Sequence, residues 1–206
     1  MQQLKKLLKR RRAKGQFKGV QDSRIDSKNV LKSDKMSGEA GGMKKKTGTP
    51  KPSLAEINLA KVSGKTPAHI AARNKVARNY LENNGFSEGQ IIDALGSTNK
   101  LIKGGVDLDK PLEVVEFPPP EEMYQYVKSH GNPGNWFDPL GKQTADSLGI
   151  NGATRTLKAF KVPKGDGLLS RSKPIIDDWT VPGKSVQTTG GGVQLFVNNI
   201  VKDGVL

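Results

Sequence analysis

Between Thr66 and Gly85 the hydrophobic positions repeat with the period of an α-helix. Thr66 is a favourable N-cap, and Pro67 follows at the first helical position, where the missing N–H of proline removes no hydrogen bond. The apolar face consists of Ile70, Ala72, Val76, Ala77, Tyr80 and Leu81. The polar positions lie mostly at its margins or opposite it, namely Arg73, Lys75, Arg78 and Asn79. The pattern predicts an amphipathic helix and indicates that ordered structure begins near Thr66.

A second, shorter helix is predicted between Ser87 and Gly96. Ser87 and Gln90 form an S-x-x-Q capping box, and Phe86 and Ile91 have the spacing of a hydrophobic staple. Gly96 is expected to end the helix, because glycine adopts the left-handed conformation of a C-cap without strain. The two helices should pack on each other through apolar side chains, namely Val76, Tyr80, Ile91, Ile92 and Leu95.

Beyond Gly104 and Gly105 the helical period gives way to short β-branched or alternating runs. These runs predict strands near residues 112–117, 123–127, 136–137, 155–162, 168–172 and 193–197. Glycine, proline and asparagine fill the gaps between them. Two helices followed by short strands indicate an α+β fold, in which an N-terminal helical pair packs on a small, split, mostly antiparallel sheet.

Composition sets the first quarter of the chain apart. Residues 1–50 hold 15 Lys and Arg but only 4 Asp and Glu, so they carry +11 of the formal net charge of +14. With so little apolar content, residues 1–55 are predicted to be a disordered basic leader or linker, which is either a solvated tail or a segment that contacts nucleic acid or a membrane surface. Residues 60–105 are then the helical segment, and residues 106–206 are a β-rich domain.

The same composition excludes several functional classes. Residues 51–206 carry only +3, so the total charge does not argue for an RNA substrate of the folded part. The absence of cysteine excludes disulfides and thiolate metal sites. Two histidines without an H-E-x-x-H motif make zinc-dependent hydrolysis a poor fit, so no metal is predicted. No apolar run is long enough for a membrane span or a signal-peptide core.

Four passages of the β-rich part carry a family resemblance. They are DKPLEVVEFPPPEEMYQYV (109–127), GNPGNWFDPLGKQTADSLGI (131–150), GLLSRSKPIIDDWTVPG (167–183) and QTTGGGVQLF (187–196). In this order they resemble the polymorphic toxin type 46 domain, found at the C-termini of large secreted bacterial proteins. More distantly, PPPEEMYQYV, GNWFDPLG and GGGVQLF resemble the mycobacterial necrotizing-toxin family of NAD glycohydrolases, which are related to ADP-ribosyltransferases.

This resemblance implies an ADP-ribosyltransferase-like fold and NAD as the substrate. The NAD would be consumed by glycohydrolysis or by ADP-ribosyl transfer to a macromolecular acceptor, either protein or RNA. It further implies a secreted effector that acts in the target-cell cytoplasm, and a cognate immunity protein that protects the producing cell.

The resemblance also nominates a site. It places Gln194 on a late strand that contacts the nicotinamide ribose, and Gln125 where relatives often have an arginine; both are assigned to the catalytic set. Ser170 and Ser172 alternate along one strand and resemble the hydroxyls that brace the ligand in these folds. Arg155 is the candidate for the pyrophosphate, because a guanidinium can hold phosphate oxygens with two hydrogen bonds. The remaining candidates for binding NAD, by stacking, hydrogen bonding or close backbone approach, are Tyr124, Tyr126, Asn135, Trp136, Phe137 and Gly192.

Other interpretations of the same residues remain open. Gln194 could face solvent beside a glycine-rich turn, and the large aromatic residues could belong to the core. A metal-independent ribonuclease toxin would use His130 as its general acid or base. A non-enzymatic protein would bind nucleic acid through the lysines and arginines of residues 5–18.

Overall fold

A computed structural model of the chain describes residues 48–96, 104–117, 121–131 and 133–198. The predicted leader lies outside these residues up to position 47, so its disorder and its binding partners stay predictions. No helix within the described ranges combines the length and the apolar character that crossing a bilayer requires.

Both predicted helices are present, as α2 at Pro67–Asn83 and α3 at Glu88–Leu95. The predicted caps are confirmed. The Thr66 hydroxyl accepts the N–H of His69 at the start of α2, and Ser87 and Gln90 form a reciprocal capping box at the start of α3. These local hydrogen bonds satisfy N–H groups that have no partner within the helix, which is why both starting points could be located from the sequence.

The prediction that order begins near Thr66 is wrong. A further helix, α1, occupies Leu54–Lys61, and Ser53 and Glu56 form a capping box at its start. The Ser53 hydroxyl accepts the backbone N–H of Glu56, and the Glu56 carboxylate in turn accepts the backbone N–H of Ser53 at 2.7 Å. The S-x-x-E signal was therefore present in the sequence, but this eight-residue helix is too short to display a hydrophobic period.

Eight strands follow in the described ranges, and every pairing among them is antiparallel. Their bounds are β1 Glu113–Phe117, β2 Glu121–Lys128, β3 Trp136–Phe137, β4 Arg155–Val162, β5 Gly165–Arg171, β6 Ile176–Val181, β7 Lys184–Gln187 and β8 Val193–Val197. One sheet has the order β1-β5-β8-β3, while β2-β4 and β6-β7 form separate two-stranded ladders. The predicted α+β fold with a split antiparallel sheet is confirmed.

Two of the ladders involve the same two stretches of chain. β1 pairs with β5 up to Phe117 and Gly165, and the same two stretches of chain resume pairing as β2 and β4 at Glu121 and Val162. In the sequence, three prolines lie between β1 and β2, and proline cannot donate to a strand ladder.

The β6–β7 hairpin was not predicted, because Asp177, Asp178, Pro182 and Gly183 interrupt its β-branched residues. Its base is held by Thr188, which is 2% exposed. The Thr188 N–H donates to the carbonyl of Ile175 at 2.8 Å, and the Ile175 N–H donates to the Thr188 hydroxyl at 2.9 Å. A side-chain hydroxyl thus continues the ladder for one residue beyond the strands.

The helices cover one face of the four-stranded sheet. Their apolar side chains meet Leu168 of β5 and Phe196 of β8 in one cluster. The Phe196 ring lies edge-on to Phe86 at 4.9 Å and to Trp136 at 4.4 Å, measured between ring centroids. The Tyr80 hydroxyl donates to the carbonyl of Phe196 at 3.3 Å. Both aromatic stacking and a hydrogen bond therefore tie the helical layer to β8.

Arg73 departs from the helix prediction, which placed it at the margin of the apolar face or opposite it. Its side chain is fully buried, at 0% exposure. The guanidinium donates to the carbonyls of Ala60 at 3.3 Å, Val62 at 2.7 Å, Gly64 at 2.8 Å and Leu108 at 2.9 Å. It thereby satisfies carbonyls at the C-terminal end of α1 and fastens the segment that leads into β1.

Candidate active site

A pocket of about 300 Å³ opens at the edge of the four-stranded sheet, where β3 pairs with β8. One wall is the turn at residues 148–150. The other lining residues are Gly105, Trp136, Phe137, Lys173, Ile175 and Gln194. Among these described lining residues, Lys173 is the only one with an ionisable side chain. The pocket is therefore largely apolar and contains one amide side chain and one cation.

Gln194 is held in one orientation at the back of this pocket. It lies in β8 opposite Ser170 of β5 and is only 5% exposed. Its amide nitrogen donates to the carbonyl of Gly105 at 3.0 Å and to the hydroxyl of Ser170 at 3.3 Å. A carbonyl can only accept, so the amide nitrogen must face Gly105. No described residue donates to the Gln194 Oε1 atom, which leaves that oxygen as an acceptor for a ligand.

The two serines stand behind the pocket and do not line it. Ser170 is fully buried and accepts from Gln194 as described. Ser172 is also buried, and its hydroxyl donates to the carbonyl of Ser147 at 2.5 Å. The structure does not bring either hydroxyl into the pocket, where they were predicted to brace the ligand; one holds Gln194, and the other holds the turn that forms a wall.

Gly192 packs against the same turn. Its N–H donates to the Ser147 carbonyl at 2.7 Å, and a Cβ added at Gly192 would lie 2.6 Å from that oxygen. Gly190, with φ at +64°, donates to the carbonyl of Asp146 at 3.1 Å. Close packing of two loops therefore explains Gly190 and Gly192, and Gly192 does not line the pocket.

The aromatic wall is positioned by Gln125. Its amide nitrogen donates to the carbonyl of Trp136, and its amide oxygen accepts the N–H of Gly134 at 2.8 Å. Both polar atoms of this buried side chain are thus engaged by the main chain that leads into β3. Phe137 is fixed from the other side by an edge-on contact with Phe160 at 6.1 Å. The structure gives Gln125 contacts of a positioning residue and does not bring it into the pocket.

Residues 76–202 of the chain match the family model described as bacterial toxin 46. The chain belongs to the bacterial toxin 46 family. It is 26% identical over 176 residues to the NAD(P)(+) glycohydrolase toxin Tse6 of Pseudomonas aeruginosa, a match that covers 71% of this chain and 41% of Tse6. The chain thus spans about two fifths of the length of that relative.

A solved structure of Tse6 in complex with Tsi6 also resembles this bacterial toxin 46 protein. The sequence identity is 20% and the TM-score is 0.47, and the match covers 63% of this chain and 90% of the other.

Other residues nominated for binding NAD lie away from the pocket of this toxin. Tyr124 donates its hydroxyl to Glu122 at 3.1 Å, and Tyr126 donates to the carbonyl of Gln143 at 3.1 Å. Asn135 donates to the carbonyl of Val197 at 2.8 Å. These contacts brace the ladder of β2 and β4 and the start of β3.

Arg155 of the toxin is also absent from the pocket lining. Its Nη1 atom donates to the carbonyl of Tyr126 at 3.4 Å, while its Nε is buried without a described acceptor. The guanidinium is therefore directed into the β2–β4 region. The expected pyrophosphate contact of Arg155 finds no support in this geometry.

Six of the nine residues that line the pocket were not predicted from the sequence. Gly105, Lys173, Ile175 and the turn at residues 148–150 were not nominated. Gly105 and Lys173 are separated by 68 positions in the sequence but joined by a hydrogen bond of 3.0 Å from the Lys173 N–H to the Gly105 carbonyl. Such a contact arises only from the tertiary fold, and no local pattern announces it.

Neither histidine of the toxin lies at this pocket. The His69 ring hydrogen-bonds the Thr66 hydroxyl at 2.7 Å, next to the N-cap of α2. His130 is exposed in the turn after β2, and no described residue forms a hydrogen bond or ion pair with it. Within the described ranges, no three side chains of His, Asp or Glu are grouped as a metal site would need.

Proposed function

We propose that this toxin domain depletes NAD or NADP by cleaving the bond between nicotinamide and ribose. Membership of a toxin family and the similarity to an NAD(P)(+) glycohydrolase toxin support this proposal. The observation that carries it is the buried Gln194 amide, which lines an apolar pocket. Gly105 and Ser170 hold the amide nitrogen, so the amide oxygen is left to accept from a ligand.

The pocket suits the chemistry of this cleavage. The bond from the nicotinamide nitrogen to ribose C1′ breaks, and nicotinamide leaves as a neutral molecule with the bonding electron pair. C1′ then carries positive charge until the oxygen of water bonds to it and a proton passes to solvent. Trp136 and Phe137 offer an aromatic surface for the nicotinamide ring, whose charge is lost in the reaction.

Gln194 is assigned to the ribose. Its Oε1 atom accepts a ribose hydroxyl and places the negative end of the amide dipole near the developing positive charge. A fixed dipole needs no reorganisation during the reaction, and the hydrogen bond to Gly105 fixes this one. Since an amide cannot ionise, Gln194 does not act as a general base, and water attacks a ribosyl cation that is already formed.

Incubating the purified chain with NAD and with NADP, followed by mass spectrometry of the products, tests the proposal. We expect free nicotinamide and ADP-ribose or its phosphate to appear. The variant Gln194→Ala should lower kcat by roughly 100-fold. The matched control is Gln187→Ala, because Gln187 is an exposed glutamine of β7 away from the pocket lining. Intact nucleotides after incubation with the wild type would contradict the proposal.

The same experiment separates hydrolysis from transfer. We propose hydrolysis, because the relative Tse6 is named a glycohydrolase and the aromatic, apolar pocket has room for little more than the nicotinamide half of the nucleotide. In hydrolysis, ADP-ribose accumulates in solution in step with nicotinamide. If ADP-ribose instead appears on protein or RNA from a cell extract, the domain is an ADP-ribosyltransferase.

The proposal also includes where the toxin acts and how the producing cell is protected from it. NAD is abundant in the cytoplasm, so the domain acts there in a target cell, and the producing cell needs a cognate immunity protein. Co-expressing the toxin with the product of a neighbouring gene should restore both growth and the NAD pool. A ribonuclease would leave NAD unchanged, degrade RNA and be inactivated by His130→Ala.

A further inference from the structure

Lys173 is a cation at the mouth of an apolar pocket. Its side chain is exposed, yet the residue lines the pocket beside Gln194 and Ile175. An exposed ammonium gains little from an apolar surface, but it pairs strongly with an anionic group that is partly removed from water. The position therefore favours a ligand with an apolar ring inside the pocket and a negative charge at its entrance.

The backbone of Lys173 is fixed on both sides. Its N–H donates to the carbonyl of Gly105 at 3.0 Å, the same oxygen that holds Gln194. Its carbonyl lies so close to Gly149 that an added Cβ there would approach within 2.8 Å. On the other side, a Cβ at Gly190 would lie 2.6 Å from the Lys173 carbonyl carbon. The main chain is clamped, and only the long side chain can adapt to a ligand.

The two neighbouring arginines donate to backbone carbonyls outside the pocket. The Arg171 guanidinium donates to the carbonyl of Gly191 at 2.8 Å, and Arg155 is directed towards Tyr126. Neither arginine lines the pocket. Among the described residues at the pocket, Lys173 is thus left to meet an anion.

The size of the pocket indicates which phosphate group of the nucleotide would lie near Lys173. At about 300 Å³ it lies at the lower end of ligand pockets, which hold roughly 300–1,000 Å³. Nicotinamide and its ribose therefore occupy the pocket, and the phosphate attached to that ribose is the first group to emerge. The adenine half, with any 2′-phosphate, lies farther out.

We propose that Lys173 is a specificity-determining residue that pairs with the phosphate on the nicotinamide ribose. The substrates are then phosphorylated nicotinamide nucleotides, including the mononucleotide, while nicotinamide riboside is a poor substrate. This inference rests on the proposed cleavage of the nicotinamide–ribose bond. It assigns the phosphate contact to a lysine, which binds phosphate as a point charge where a guanidinium would bind with two hydrogen bonds.

The test compares four substrates: NAD, NADP, nicotinamide mononucleotide and nicotinamide riboside. The variants are Lys173→Gln, which removes the charge, and Lys173→Arg, which keeps it. Lys161→Gln is the matched control, because Lys161 is an exposed lysine of β4 outside the pocket lining. Thermal unfolding of each variant checks that the fold is unchanged.

We expect Lys173→Gln to lower kcat/KM by about 10- to 100-fold for the three phosphorylated substrates, mainly through KM. Cleavage of the riboside should change by less than about 2-fold, because it has no phosphate to lose contact with. Lys173→Arg should retain most of the activity on the phosphorylated substrates. Lys161→Gln should match the wild type on all four.

Three results would overturn the assignment. Equal losses on NAD and the riboside would mean that Lys173 acts through the fold. A loss confined to NADP would place the 2′-phosphate at Lys173, and unchanged kinetics would give the lysine no part in recognition. These outcomes differ from failure of the proposed function, in which the wild type cleaves none of the four substrates.

Discussion

Replacing Arg73 by methionine should destabilise the domain by about 3–5 kcal/mol. Methionine has a similar length and fills much of the same volume, so the change removes the charge and the donors while leaving only a small cavity. The carbonyls of Ala60, Val62, Gly64 and Leu108 would all lose their guanidinium donor. Arg73 is fully buried, so water cannot readily replace it.

The magnitude follows from two opposing contributions. A hydrogen bond with a charged partner contributes about 1.5–3 kcal/mol, and four such bonds would sum to roughly 6–12 kcal/mol if they were additive. Desolvation of the guanidinium opposes this sum. Burial lowers the pKa of Arg73, although the nearby Asp109 and Asp107 act in the other direction. The net loss on breaking a buried charged network is about 3–5 kcal/mol, a large part of a total stability of about 5–15 kcal/mol.

Urea unfolding followed by far-UV circular dichroism measures this loss. Arg78→Met is the matched control in the same helix, where Arg78 forms an ion pair with Glu88 at 2.8 Å near the surface. Such a pair contributes up to about 1 kcal/mol. Arg73→Lys keeps the charge but cannot reach the same set of carbonyls, so we expect a loss of about 1–3 kcal/mol.

If Arg73→Met loses no more free energy of unfolding than Arg78→Met, the buried guanidinium does not hold these carbonyls as described. If Arg73→Met is unfolded even without urea, Arg73→Lys supplies a measurable value, and wild-type stability in that variant contradicts the argument equally. The m-value should stay the same in all folded variants, because the surface exposed on unfolding is unchanged.

Two further predictions concern Gln125 and Glu56. Gln125→Ala should cost about 1–3 kcal/mol in urea unfolding and raise KM more than it lowers kcat, because Trp136 loses the contact that positions it. The pKa of Glu56 is lowered from 4.5 to about 2, first by the hydrogen bond from Lys75 and then by those from Ser53. A lowered folded-state pKa stabilises the fold above the unfolded value, and this stabilisation is lost as the pH falls from 4.5 towards 2. Between about pH 6 and pH 3, the wild type should therefore lose more stability than Glu56→Gln; equal losses would contradict the assignment.

The elements with strong local signals were predicted from the sequence. α2 and α3 have side-chain caps, and the strands from β1 to β5 and β8 are short β-branched or apolar runs. α1 has a capping box but lacks a hydrophobic period, and the β-branched residues of the β6–β7 hairpin are interrupted by aspartate, proline and glycine. Burial of Arg73 could not be predicted either, because its acceptors are backbone carbonyls, which every sequence contains.

The candidate site was predicted only in part, for a related reason. Gln194, Trp136 and Phe137 were nominated from the sequence and line the pocket, while their contacts with a ligand stay predictions. Gln125, Ser170 and Ser172 are buried nearby but support other groups. A sequence pattern identifies which polar residues a fold retains, but it does not separate a side chain that faces the ligand from one that holds its neighbour.

The position of Gln194 depends on strand register. Gln194 faces the pocket because β8 pairs with β5 so that it lies opposite Ser170, and a shift of one residue would turn its side chain to the other face. Phe196, two residues further along β8, points to the same face as Gln194 and packs against Phe86 under the helices. Core packing of β8 therefore fixes the register, and the register orients the amide. The Gly105 carbonyl, which follows the helical segment in the chain, then locks Gln194 and Lys173 together. The helices are for this reason a structural part of the site, although none of them lines the pocket.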